Sequence, residues 1–263
     1  PNVATSLNNL ATCLSNLGRH EEALEAVEEA VILRRTMAKA RPDIFLPFLA
    51  TSLNNLAAFL STLGRRKAAL TAAQEAVAYY RPLAATRPDA FVPDLAMSLN
   101  NLAAFLSDLG LSQAALTAAE EAVVYYRELA TVRAEAFAPD LAMSLNNLAN
   151  RLSDVGRCEE ALAAAEEAIG LRRILAEANP DAFIPSLAIS LNNLSAFLSE
   201  LGRSEAALSA ALEAVELHRT VVVAHPDAFT SNLAMSLNNL ANRLGSVREY
   251  EAAPATWPEA VFH

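Results

Sequence analysis

The five-letter sequence SLNNL occurs six times in this chain, and each copy begins 46 residues after the previous one. A fixed period of this length, without insertions or deletions, is typical of a solenoid, in which each repeat packs only against its neighbours. We therefore predict that residues 1–263 form a single solenoid. Its repeats span 1–46, 47–92, 93–138, 139–184 and 185–230, and a partial capping repeat spans 231–263.

Each repeat contains two stretches with the periodicity of an α-helix. In the first repeat, Val3, Leu7 and Leu14 belong to one apolar stripe, and Leu24 and Val27 belong to another. A glycine separates the two stripes in each full repeat and is expected to take the left-handed conformation that ends a helix: Gly18, Gly64, Gly110, Gly156 and Gly202. With 53% hydrophobic residues but only 6% aromatic ones, the chain is predicted to be all-α, built from antiparallel pairs of helices A and B.

The segments that join successive repeats are similar to one another, as in RPDIFLP and RPDAFVP. Helix B is predicted to reach about Ala40, and such a segment is predicted to connect it to the next helix A. Phe45 and its counterparts should fill the seam between repeats, and Asp43 should cap the following helix.

Composition argues against several classes of partner. The net charge is -10, and lysine and arginine form no run, which disfavours nucleic acid. Polar residues interrupt every apolar stretch before membrane-spanning length, so no membrane segment is predicted. Cys13 and Cys158 occupy different positions of different repeats, which favours free thiols and a cytoplasmic location. The chain begins at Pro1, and we interpret it as a segment of a longer protein.

No constellation of catalytic residues is evident. The four histidines occupy four different positions of the repeat, and no glycine-rich phosphate loop is present. Glu29 and Arg35 each recur in register along the chain, and we interpret them as a solvated face and as ion pairs with an acid of a connection or of a neighbouring repeat. The prediction is a non-enzymatic protein with no cofactor and no metal.

The paired asparagines require a different explanation, because asparagine is a poor helix former. Each costs about 0.6 kcal/mol relative to alanine, or about 7 kcal/mol for the twelve. They are predicted to lie opposite the leucine stripe of helix A. A carboxamide both donates and accepts hydrogen bonds, so this polar face could hold the backbone of an extended peptide. Alternatively, the amides bond to one another or to neighbouring helices as part of the architecture.

The pattern NNLAxxLSxLGRxEEAL resembles the tetratricopeptide repeat, and SLNNLA with its long helix B is most similar to the repeats of kinesin light chains and of related bacterial and fungal proteins. The resemblance implies a right-handed α-solenoid whose A helices line a concave groove. It also places the second asparagine of each pair at the position that binds a ligand's backbone: Asn9, Asn55, Asn101, Asn147, Asn193 and Asn239. The first asparagines form a neighbouring row for which packing is the favoured role: Asn8, Asn54, Asn100, Asn146, Asn192 and Asn238. Asn150 adds to the groove.

Tyr80 and Tyr126 replace charged residues of other repeats and are predicted to be exposed as a contact patch, whereas Tyr79 and Tyr125 are predicted to be core residues. Acidic residues at the groove edge, such as Asp108, favour a neutral or basic partner. The predicted function is a protein–protein interaction scaffold that binds an extended segment. The alternative is a spacer, sensor or self-associating arm of a larger protein that carries its own effector domain.

Overall fold

The computed structural model describes residues 2–252, and describes side chains as far as Ser246. This part of the chain contains eleven α-helices and no strand, as predicted. The A helices are α1 (Asn2–Asn16), α3 (Pro42–Thr62), α5 (Pro88–Asp108), α7 (Ala134–Asp154), α9 (Pro180–Glu200) and α11 (Pro226–Ala252). The B helices are α2 (His20–Ala40), α4 (Arg66–Thr86), α6 (Ser112–Val132), α8 (Cys158–Ala178) and α10 (Ser204–Ala224).

The turn from helix A to helix B is the one predicted from the glycines. All five glycines at this position have positive φ angles, between 70° and 78°. In the second repeat, the backbone N–H of Gly64 donates to the carbonyl of Ser61 at 2.8 Å, and that of Arg65 donates to the carbonyl of Leu60 at 2.8 Å. These bonds satisfy carbonyls that the end of α3 would otherwise leave without partners.

The connection from helix B to the next helix A differs from the prediction. The segment expected to be a connection forms the first turns of helix A, so a single residue joins the two helices: Arg41, Arg87, Arg133, Asn179 or His225. The reason is that Pro42 stands at the first helical position, where its fixed φ fits and an N–H is not needed. The predicted cap by Asp43 is also wrong, because this residue lies inside the first turn.

Two further prolines lie inside helices. Pro47 lies within α3 and Pro82 within α4, and a proline inside a helix ordinarily kinks or loosens it. Both helices continue past the proline to Thr62 and Thr86, respectively. Packing against neighbouring helices therefore outweighs the hydrogen bond that each proline removes.

The chain divides into two compact units, residues 1–133 and 134–263. Within the first, consecutive helices from α1 to α6 pack against one another, and helices α7–α11 do the same within the second. Alanines make the close contacts, since Ala23, Ala30, Ala69 and Ala76 are completely buried. Phe45 is half-buried against the core of the first unit, as predicted for the seam. That the whole chain is a single solenoid stays a prediction.

The last helix departs from the repeat pattern. Helix α11 is 27 residues long and continues through Gly245, which does not occupy the turn position. The sequence also predicts that Pro254 and Pro258 disturb a sixth helix B, and both residues lie outside the described residues.

Helices α3 and α9 have the length and mean hydropathy of membrane spans, 1.5 and 1.3, although no such stretch was predicted. Both are internal helices that pack against the helices before and after them. Core helices of this kind give the same signal by composition alone.

Candidate functional site

The first asparagine of each pair is buried in the seam between successive A helices. Asn8, Asn54, Asn100, Asn146 and Asn192 are only 4–8% exposed. Their placement on an open polar face was therefore predicted wrongly. Side chains at this position point along the layer of A helices towards the next A helix. Asn238, in the last described helix, is exposed.

These asparagines bond to the serine of the next SLNNL copy. In the first unit, Asn8 Nδ2 donates to Ser52 Oγ at 2.8 Å, and Asn54 Nδ2 donates to Ser98 Oγ at 2.6 Å. The second unit repeats the contact between Asn146 and Ser190 at 2.9 Å and between Asn192 and Ser236 at 2.6 Å. All four serines are completely buried. We call this set of asparagine–serine contacts the seam ladder. The first row of asparagines thus bonds to neighbouring helices, which is the architectural role that the sequence left open.

The second asparagine of each pair lies in a different environment. Asn55, Asn101, Asn147, Asn193 and Asn239 are half-buried, and Asn9 is exposed. Asn55 Nδ2 lies 3.4 Å from Asn8 Oδ1, and Asn193 Nδ2 lies 3.3 Å from Asn146 Oδ1. Within the described part of the chain, Asn101 and Asn147 have no hydrogen-bond partner. The two rows thus differ in both burial and bonding.

Each second asparagine is the middle residue of a stripe along helix A that is at least partly open to solvent. We call this stripe the A face. In α5 it consists of Asp94, Met97, Asn101, Ala104 and Asp108, all of them exposed or half-buried. Asn150 is half-buried and belongs to the A face of α7. The spacing of three and four residues keeps these side chains on one side of the helix.

The predicted exposure of the tyrosines is wrong. Tyr80 and Tyr126 are 1% and 3% exposed, so neither can form a contact patch, while Tyr79 and Tyr125 are half-buried rather than core residues. The Tyr80 hydroxyl lies 2.8 Å from Thr51 Oγ1 of α3, the helix A of the same repeat. Burial raises the pKa of Tyr80 to about 12. This position of helix B therefore faces the seam rather than solvent.

The residues that replace Tyr80 in other repeats are also buried. Arg34 Nη1 donates to Ser52 Oγ and to the carbonyl of Phe48, both at 2.6 Å. Arg172 reaches Ser190 in the same way, and His218 Nδ1 lies 2.7 Å from Ser236 Oγ. We did not predict these contacts. A signal was present, because arginine, tyrosine and histidine all have a long apolar part with a polar end, which suits a buried position near a serine.

The recurring arginines of helix B form ion pairs with the recurring glutamates of the next repeat. An ion pair with an acid of a neighbouring repeat was one of the two predictions for these arginines. Ion pairs join Arg35 to Glu75 at 2.5 Å, Arg81 to Glu121 at 2.5 Å and Arg173 to Glu213 at 2.8 Å. Hydrogen bonding to the glutamates raises the pKa of Arg35 and Arg81. In the described residues, no group of three or more histidine, cysteine, aspartate or glutamate side chains is arranged to hold a metal ion.

Comparison with known proteins identifies the family. Two family models of the tetratricopeptide repeat match the chain, one over residues 2–82 and the other over residues 95–130, 141–181 and 187–227. Together they cover well over half of the sequence. The chain belongs to the tetratricopeptide repeat (TPR) family. No curated protein matches it in sequence.

Solved TPR structures share the fold. A candidate kinesin light chain from Podosopora anserina with nearly identical TPR-like repeats is 22% identical, with a TM-score of 0.65 over 82% of this chain and 94% of the other. BtubC (BKLC) from P. vanneervenii is 18% identical, with a TM-score of 0.65 over 93% and 97%. MamA from Desulfovibrio magneticus RS-1 is 18% identical, with a TM-score of 0.54 over 84% and 97%. The TPR family and kinesin-light-chain-like repeats predicted from the sequence are thereby confirmed, and TPR repeats in general form protein–protein interaction scaffolds.

Proposed function

We propose that this TPR protein is a non-enzymatic scaffold whose A faces bind an extended segment of a partner protein through the second row of asparagines. The observation that carries the proposal is the contrast within each pair. The first asparagine is buried in the seam ladder, whereas Asn101 and Asn147 present amides on the A face without a partner among the described residues. A solvent-accessible amide without a partner can donate to a peptide carbonyl and accept from a peptide N–H.

The spacing of the A helices suits an extended ligand. Helices α1 and α3 contact each other, as do α3 and α5, and packed helices lie about 8–10 Å apart. An extended peptide advances about 3.3 Å per residue, so one asparagine would meet the ligand backbone about every three residues. Backbone contacts of this kind give affinity without a strict sequence requirement.

Charge on the A face favours a neutral or basic segment. Asp94 and Asp108 both belong to the A face of α5, and Asp94 has no cation within ion-pairing distance among the described residues. The net charge of -10 also attracts a basic segment, over a longer range than these two carboxylates. Both cysteines are free thiols, which supports the cytoplasm as the place where such a scaffold would act.

The test uses a phage-displayed library of random dodecapeptides as the ligand source. Selected peptides should bind the wild-type chain, and the double variant Asn101→Ala, Asn147→Ala should bind them at least tenfold more weakly in fluorescence polarisation. Gln74→Ala is the matched control, since it removes an exposed amide from helix B. Equal affinity of the double variant and the wild type would refute a role for the second row.

Light scattering on the same samples distinguishes the spacer or self-associating arm. A concentration-dependent dimer that the double variant abolishes, together with a failure to select any peptide, would replace peptide binding by self-association.

A further inference from the structure

We infer that a pocket around Arg34 binds the carboxylate of an acidic side chain in the partner segment; this inference rests on the proposed function. The pocket has a volume of about 210 Å³ and lies among α1, the end of α2 and the start of α3. It is lined by Asn2, Ala4, Thr5, Arg34, Met37, Phe45 and Phe48.

Arg34 carries a buried positive charge that no carboxylate balances. The residue is 6% exposed, and its hydrogen bonds reach only neutral oxygens: the Phe48 carbonyl, Ser52 Oγ and, at 3.4 Å, Thr5 Oγ1. Burial lowers its pKa. The next residue, Arg35, is exposed and forms a bidentate ion pair with Glu75. A buried cation without a counter-ion is costly, so a ligand that supplies a negative charge would be favoured here.

The shape of the pocket selects a carboxylate on a short aliphatic stem. Nη1 is already bonded to two oxygens, whereas Nη2 has only the long contact to Thr5 and can donate to a carboxylate oxygen. Met37, Phe45 and Phe48 provide apolar walls that would contact the methylene groups of aspartate or glutamate. The guanidinium carbon lies 5.7 Å from the centre of the Phe48 ring.

The mouth of the pocket lies beside the proposed path of the ligand. Thr5 is exposed and lies one helical turn before Asn9 on α1, and Phe48 is 51% exposed and lies two turns before Asn55 on α3. A segment held by the second asparagines would therefore pass within reach of Arg34.

The next seam of the same unit, between α3 and α5, lacks the positive charge that Arg34 supplies. Tyr80 replaces Arg34 there, and the half-buried carboxylate of Asp94 stands at the position of Phe48. Burial raises the pKa of Asp94, and an acidic ligand side chain would be repelled at that place. Along the first unit, the acid of the ligand should therefore occupy one fixed position, at Arg34, with neutral or basic residues elsewhere.

The experiment measures whether peptides selected from the random dodecapeptide library carry aspartate or glutamate at a fixed position. For the wild-type chain, replacing that acid by asparagine or glutamine should weaken binding at least tenfold. For Arg34→Gln and Arg34→Tyr, the same peptide change should alter the affinity less than twofold. Arg34→Tyr keeps the fold, because Thr5 stands where Thr51 bonds to Tyr80 and can bond to the new hydroxyl in the same way.

The outcomes separate this inference from the proposed function. Peptides that depend on Asn101 and Asn147 but show no acidic preference would overturn the carboxylate pocket and leave the scaffold intact. An acidic preference that persists in Arg34→Tyr would also overturn it. If the wild-type chain selects no peptide, both proposals fail.

Discussion

Adjacent residues of one SLNNL copy should have opposite effects on stability. Asn146 is 8% exposed, and its Oδ1 accepts hydrogen bonds from Ser190 at 2.9 Å and from Asn193 at 3.3 Å. Asn147 is half-buried on the A face of α7, without a hydrogen-bond partner in the described part of the chain. We predict that Asn146→Ala destabilises the protein and that Asn147→Ala does not.

The magnitude follows from the bonds and from helix propensity. A buried hydrogen bond contributes about 0.5–1.5 kcal/mol net, so the two bonds to Asn146 amount to about 2 kcal/mol. Alanine recovers about 0.6 kcal/mol of helix propensity. The expected net loss for Asn146→Ala is therefore about 1–1.5 kcal/mol, whereas Asn147→Ala should gain up to about 0.6 kcal/mol.

Urea denaturation followed by circular dichroism at 222 nm measures both effects. The midpoint of Asn146→Ala should fall and that of Asn147→Ala should stay equal or rise, with the dependence on urea concentration unchanged. The reasoning is refuted if the two variants shift the midpoint equally, or if Asn147→Ala is the more destabilised of the two.

Two further predictions concern backbone conformation and pH. Gly64→Ala should destabilise the protein by about 1 kcal/mol because φ is 70° there, although a Cβ would meet nothing within 4 Å; Gly170→Ala, inside α8 and equally uncrowded, should stabilise it by about 0.5–1 kcal/mol. Thermal unfolding of both variants checks the contrast, which would be contradicted by shifts of the same sign. His218 is completely buried, and desolvation lowers its pKa. The unfolded state therefore binds a proton more tightly, so His218 should reduce stability as the pH falls below its unfolded pKa of about 6.5. His218→Tyr should remove that part of the pH dependence in urea titrations between pH 5 and about 7.5, and an unchanged profile would contradict the assignment.

The helix pairs and their turns could be predicted because the signals that specify them are local. The stripes at spacings of three and four residues mark both helices, and glycine is the residue that tolerates a positive φ, as at Gly64. The start of helix A was misplaced because Pro42 and Pro47 were read as marks of a connection. A proline at the first helical position fits the helix as well as it fits a turn.

The seam contacts could not be predicted because they depend on which neighbour a side chain meets across 44 residues of sequence. A helical stripe shows which side of a helix is apolar, but it does not separate the side facing helix B from the side facing the next helix A. Asn8 and Tyr80 both lie on such a second buried side. Their polar atoms made each of them look like a surface residue, although each has a bonding partner there.

The seam ladder gives the second asparagines a fixed spacing. Each ladder contact joins one A helix to the next within a unit through buried polar groups, and a partner displaced from its bonding distance would leave a buried group unsatisfied at a cost of about 1–3 kcal/mol. Asn55, immediately after Asn54, is thereby held in register with the preceding helix. The proposed function thus assigns stability to the first asparagine of a pair and recognition to the second. Under the proposed function, Asn147→Ala should lose ligand affinity while the ladder remains intact, and urea denaturation of the Asn146 and Asn147 variants measures the stability side of that separation.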